Sequence, residues 1–401
     1  MAERKAPVWW GIPKKFSERL KERKISWLEL FYDLVYAAAI SQLTDYLAKH
    51  ADLHGVCYTL FLFAFIYWGW LNGSLYHDLH GNQGVRSRIT TLWQMMAVAA
   101  VAVTIPHLFQ GHHQGFAIAF GVLQLLIAYL WWSTGYYDPA HKLLNRYYVF
   151  NYSIGFILFI VSVFTSHQVA LWLWAVALFF NLSAGIFSIL AIRREMKARG
   201  DNFSASDSII ERFGAFTIIV LGEAILGIIH GISECPVPSA AVWVSFVLCM
   251  LIAFLLWWIY FDLMGESSAK KGYYYFLTQT MAYLPLLAAF AVMGASIRVL
   301  LSASGVCNVA FAKWMFGISI AVILTGTVGL SHTMEQDQSE ALAIIKILNL
   351  IFFNSFIILI LSWLASYMSL PEYLALVAFS LLLLLVAAFR IWMGYNLFTQ
   401  D

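Results

Sequence analysis

The sequence predicts an all-α polytopic membrane protein, with about 12 transmembrane helices forming two parallel six-helix repeats related by a pseudo-two-fold axis along the membrane normal. Three observations lead there. Hydrophobic residues make up 61% of the 401-residue chain and charged residues only 11%, whereas a soluble domain carries about 25% charged residues. The apolar residues fall in continuous runs of about 20, the length that crosses a hydrocarbon core as a helix, and not in the alternating pattern of a barrel. The two halves of the chain also echo each other at a near-constant offset. So much apolar surface needs lipid to cover it. That excludes a disordered chain, a coiled coil, a disulfide-rich secreted module and an ordinary soluble enzyme. A formal net charge of +2 excludes nucleic acid as a partner, because a basic patch is needed for that. The expected partners are the bilayer, a small solute or an ion such as the proton, and further copies of the chain.

The elements follow in order. Residues 1–26 are charged and amphipathic, and Trp9 and Trp10 beside Lys14 and Lys15 suit a segment lying on the inner leaflet. Six spans follow within 27–190, at 27–48, 55–76, 88–109, 115–136, 144–165 and 168–190. The first carries Glu29 and Asp33 at its start, which a cleavable signal would not. A polar linker, 191–207, divides the chain. Six more spans lie within 208–393, at 208–230, 239–262, 274–297, 309–330, 342–366 and 371–393, and 394–401 forms a short tail. Placing the N-terminus in the cytoplasm puts all but three of the 24 lysines and arginines on the inner side, the exceptions being Lys49, Arg298 and Lys313. This is the positive-inside bias, and it places both termini in the cytoplasm of a bacterial inner membrane.

The repeat rests on matched positions. Span one opens Trp27-Leu28-Glu29-Leu30-Phe31 and span seven opens Ile209-Ile210-Glu211-Arg212-Phe213, with the glutamates 182 residues apart. Tyr76-His77-Asp78 and Tyr260-Phe261-Asp262 close spans two and eight, 184 apart. Gln94 and Gln279 sit near the starts of spans three and nine, 185 apart. Six is an even number, so both halves enter the membrane from the same side and the repeats are parallel, as in several transporter folds.

Several of these stretches carry a family resemblance. Trp27-Leu-Glu-Leu-Phe-Tyr-Asp33-Leu-Val-Tyr-Ala-Ala-Ala-Ile40, Glu211-Arg212-Phe213-Gly214 with Ile219-Val-Leu-Gly-Glu223, Arg88 with Gln94-Met95, and Trp257-Trp258-Ile-Tyr260-Phe-Asp262 together resemble the bacterial low temperature requirement A family. At Tyr283-Leu284-Pro285 the chain has Tyr where that pattern implies His. The resemblance implies a multi-pass inner-membrane protein linked by name to growth in the cold. It implies neither a substrate nor a reaction.

Ionisable residues within spans are functional candidates, since each costs about 2.5–3.5 kcal/mol on insertion scales. Glu29 and Asp33 lie one turn apart on one face. Glu223 lies deep in span seven, with Gly227 and His230 continuing its face. Glu223 and His230 read either as a proton relay, with Asp33 and Glu29 on the same pathway, or as structural groups. Toward the cytoplasmic ends, Glu29, Asp33, Asp78, Glu211 and Asp262 share the depth of Arg88, Arg146 and Arg212. This predicts two symmetry-related ion-pair clusters, each acting as a structural clasp or an inner gate.

Other signals are weak. His77 with His80, and His107 with His112 and His113, lack the spacing of a zinc motif, so no metal is expected. There is no G-x-S-x-G, P-loop or H-E-x-x-H, so neither a catalytic site nor a cofactor is expected and enzymatic function is unsupported. Cys235 and Cys307 fall in outer loops and allow a disulfide. Gly69, Gly73, Gly214, Gly222 and Gly227 suit close helix packing. The reading is a proton-coupled secondary transporter of an unidentified small solute. The alternatives are a cation channel, although no selectivity-filter signature is present, or a membrane-embedded lipid-handling enzyme.

Overall fold

The computed structural model describes residues 11–15, 25–82, 84–139, 142–199, 205–235, 237–265, 268–302, 309–335 and 341–399. Trp9 and Trp10 of the inner-leaflet segment, and Cys307 of the expected Cys235–Cys307 bridge, lie outside the described residues. The described chain is all-helical, and its one β-contact is an isolated bridge between Ala269 and Met334.

The helices are α1 (Trp27–Lys49), α2 (Leu53–His80), α3 (Val85–Phe109), α4 (Gln114–Tyr137), α5 (Lys142–Ser162), α6 (His167–Phe187), α7 (Ile189–Arg199), α8 (Asp207–Ser233), α9 (Ala240–Met264), α10 (Tyr273–Leu301), α11 (Val309–Ser331), α12 (Ala341–Leu364) and α13 (Leu370–Thr399). A single 3-10 turn, Ala365–Tyr367, follows α12. All 12 expected spans are helices, and their ends fall within four residues of expectation except that α13 runs on to Thr399. The additional helix, α7, occupies much of the expected linker. Its charged run Arg193-Arg194-Glu195 leaves it polar, and it directly continues α6.

Among the described residues, ten segments are long and apolar enough to cross a membrane by length and composition. The two long helices outside that set are α1 and α5. Both carry charge within the helix, Glu29, Asp33 and Asp45 in α1 and Lys142 and Arg146 in α5. Pro106 in α3 and Pro285 in α10 are accommodated within continuous helices.

The chain forms two compact units whose boundaries cut through α1, α2, α8 and α10. The first comprises Met1–Gln42, Leu62–Arg212 and Lys271–Leu277. In it α3 packs on α4, α4 on α5 and α5 on α6, as short connections between neighbouring spans demand. Its core is aromatic: Phe65, Phe116, Phe120, Phe159 and Trp174 meet in tilted, stacked and edge-on pairs. Gln124 Nε2 donates to Asn181 Oδ1 at 2.8 Å, a polar tie between helices of the kind lipid-embedded bundles use. Gly155 is required beside it, because a Cβ there would strike the Gln124 amide.

The second unit comprises Leu43–Phe61, Phe213–Lys270 and Thr278–Asp401. Here α9 packs on α11 and α13, and α12 packs on both α11 and α13. Lys313, buried near the start of α11, donates to the carbonyls of Ala365 and Met368 at 2.9 and 2.7 Å. It thereby satisfies carbonyl groups where α12 ends, which a helix C-terminus leaves unpaired. Helices α8 and α10 approach backbone to backbone. A Cβ on Gly294 would sit 2.6 Å from the Glu223 carbonyl oxygen, and one on Gly227 would strike the carbonyl of Gly294.

Candidate functional site

In the first unit α1 opens with a capping box, Ser26-Trp27-Leu28-Glu29. The Glu29 carboxylate accepts from the Ser26 backbone N–H at 2.8 Å and from its hydroxyl at 2.9 Å. That reciprocal pattern satisfies donors the first turn would otherwise leave unpaired. Asp33, one turn on, is fully buried. It accepts from Trp70 Nε1 at 2.7 Å, from Arg212 Nη2 at 2.8 Å and from Arg212 Nε at 3.2 Å. Arg212 is itself only 2% exposed, lies 3.7 Å from Glu29 and stacks over the Tyr32 ring at 5.3 Å. The Tyr32 hydroxyl reaches Tyr36 at 3.0 Å and Gln94 Oε1 at 3.3 Å. Gly73 makes room for that hydroxyl, since a Cβ there would collide with it. A buried guanidinium is tolerated only with such pairing, because the desolvation of each charge must be offset by its partner.

In the second unit Glu223 is buried on α8 and accepts from the Thr44 hydroxyl of α1 at 2.7 Å. Asp33–Arg212 and Thr44–Glu223 are both separated by 179 residues. Eleven residues separate the two pairs on each helix, which is three turns or about 16 Å of rise.

The expected relay face runs from the buried Glu223 toward the end of α8. Gly227 packs against α10, but His230 is exposed. Beyond it, Arg298 pairs with Asp45 and, at 2.5 Å, with Glu234. The sequence reading missed this triad and left Arg298 as an exception to the charge bias. An arginine, an aspartate and a glutamate at the same ends of three spans was the available signal.

Of the two expected ion-pair clusters, only the one at Glu29 and Asp33 exists, and it is completed by Arg212. The second does not form among the described residues. Glu211 and Asp262 are exposed, and Asp262 accepts from Trp258 of its own helix at 3.0 Å. Successive residues point about 100° apart on a helix of 3.6 residues per turn, so burying Arg212 turns Glu211 outward. Asp78 accepts from the hydroxyls of Ser206 and of Ser208, the latter at 2.6 Å. Arg88 and Arg146 are exposed. Arg86 is the buried one, donating to Ser133 at 2.7 Å and lying between Tyr129 and Tyr137. His77 lies 3.0 Å from the Thr91 hydroxyl and ties α2 to α3, and His80 lies 2.9 Å from the Lys14 carbonyl and ties α2 to the segment ahead of α1. Gly222 and Gly214 are not points of tight packing.

Long apolar helices around a few paired, buried charges define a multi-pass membrane-type protein. Its sequence matches the profile of the bacterial low temperature requirement A protein (LtrA) over residues 24–388, and the chain belongs to that family. It is similar to an uncharacterized protein of Rhizobium meliloti (strain 1021), at 27% identity over 262 residues, which is 64% of this chain and 62% of that relative's length. No solved structure matches.

Proposed function

We propose that the protein is a proton-coupled secondary transporter of a small solute, held in a bacterial inner membrane with both termini in the cytoplasm. The observation that carries this reading is the buried Glu223 carboxylate, far along a spanning helix, which accepts from the Thr44 hydroxyl. A carboxyl group kept from bulk water is a costly feature, and a group that binds and releases a proton as its surroundings change repays it. Thr44 suits this role because a hydroxyl donates to the carboxylate and accepts from the acid. In this scheme Asp33, Arg212 and Glu29 form the inner gate and break apart when the route opens to the cytoplasm. The matched positions of the two halves, Glu29 with Glu211, Asp78 with Asp262 and Gln94 with Gln279, support a parallel six-plus-six repeat.

The test is solute and proton flux in liposomes containing the full chain. An imposed pH gradient should drive solute uptake, Glu223→Gln should abolish the coupling, and Thr44→Val should slow it. Steady single-channel currents that ignore Glu223→Gln would overturn the proposal in favour of a channel. Modified lipid with no flux at all would overturn it in favour of an enzyme.

A further inference from the structure

Two histidines outside the proposed route meet in the first unit. His113 caps the start of α4 and His167 opens α6. Their ring centroids lie 5.6 Å apart. His113 is 2% exposed, and its Nε2 lies 3.1 Å from the carbonyl oxygen of Ser162. A carbonyl only accepts, so Nε2 carries the hydrogen and Nδ1 of the neutral ring is a bare lone pair. That Nδ1 is shut away from solvent with no hydrogen-bond partner, and so is Nδ1 of His167. Trp174 packs edge-on to His113 and donates to the Ser162 hydroxyl at 2.8 Å, fixing the residue that orients the ring.

A neutral, desolvated imidazole whose second nitrogen is held by a backbone carbonyl is the form that ligates metals. With metal–nitrogen bonds of about 2.0–2.1 Å, two imidazoles on one ion place their centroids about 4.5–6.3 Å apart for ligand angles from about 90° to 180°. The observed separation falls inside that range. We propose that His113 and His167 form a two-histidine clamp for a late first-row divalent ion, Cu2+ or Zn2+, the class that imidazole nitrogen favours. Among the described residues no third histidine, cysteine or carboxylate joins them, so an ion entering between the rings would bring water as its further ligands. His107 and His112, adjacent in sequence, are exposed and take no part.

The test uses the full chain in detergent, stripped of metal and titrated with Cu2+ alone. Pulsed electron paramagnetic resonance reads the remote nitrogen of each coordinated imidazole and should report two of them on one bound ion. His167→Gln should remove the two-imidazole signal and lower Cu2+ affinity at least tenfold, His113→Gln should do the same, and His112→Gln should change neither. His167 is only partly buried, so His167→Gln keeps the test valid should His113→Gln fail to fold, with a metal-free melting curve as the check. A single imidazole on the native protein, an unchanged signal in His167→Gln, or no Cu2+ uptake would overturn the proposal.

Discussion

Replacing Arg212 by Met leaves Asp33 buried with Trp70 as its remaining donor in the cluster. Asp33 then loses three contacts of 2.8–3.2 Å. Breaking a buried pair by removing one partner costs about 3–5 kcal/mol, because the other charge stays desolvated. Glu29 loses its 3.7 Å ion pair with the guanidinium as well, but keeps its bonds to Ser26. Asp33→Leu should cost a similar amount, plus about 1–3 kcal/mol for the orphaned Trp70 N–H. The double variant removes both charges together and retains only the Trp70 penalty. The two changes should therefore couple by about 3 kcal/mol or more, at the upper end of measured cycles. Reversible unfolding in mixed detergent micelles, followed by circular dichroism, measures each corner of the cycle. Additivity within about 0.5 kcal/mol would refute the claim that these two charges support each other.

Further predictions concern packing and caps. Gly294→Ala places a methyl 2.6 Å from a backbone carbonyl and should lower stability by about 1–3 kcal/mol, whereas Gly222→Ala meets nothing within 4 Å and should be neutral or mildly stabilising; parallel melting curves decide both. Ser26→Ala should cost about 1 kcal/mol through loss of the α1 cap, read by the same melts. Arg298→Gln should cost less than about 1 kcal/mol, because its partners Asp45 and Glu234 are about 40% exposed, and raising the salt concentration should shrink the difference.

The helices themselves were legible residue by residue. In lipid each backbone polar group must bond within its own helix, so a run of about 20 apolar residues predicts a span without reference to its neighbours. The shared face of Glu29 and Asp33 was equally local, since four residues make about one turn. Their partner was not: Arg212 lies 179 residues from Asp33, and no local pattern distinguishes a buried arginine from an exposed one at a span end. The same limit hid Arg86 beside Arg88, the Thr44 donor to Glu223, and the inward turn of His113 beside His107 and His112. Composition and periodicity thus determined which segments form helices and where charge enters them. Only the packed structure decided which charges meet, because burial depends on the helix facing a side chain, and in lipid an unpaired charge selects its partner through the desolvation cost that pairing offsets.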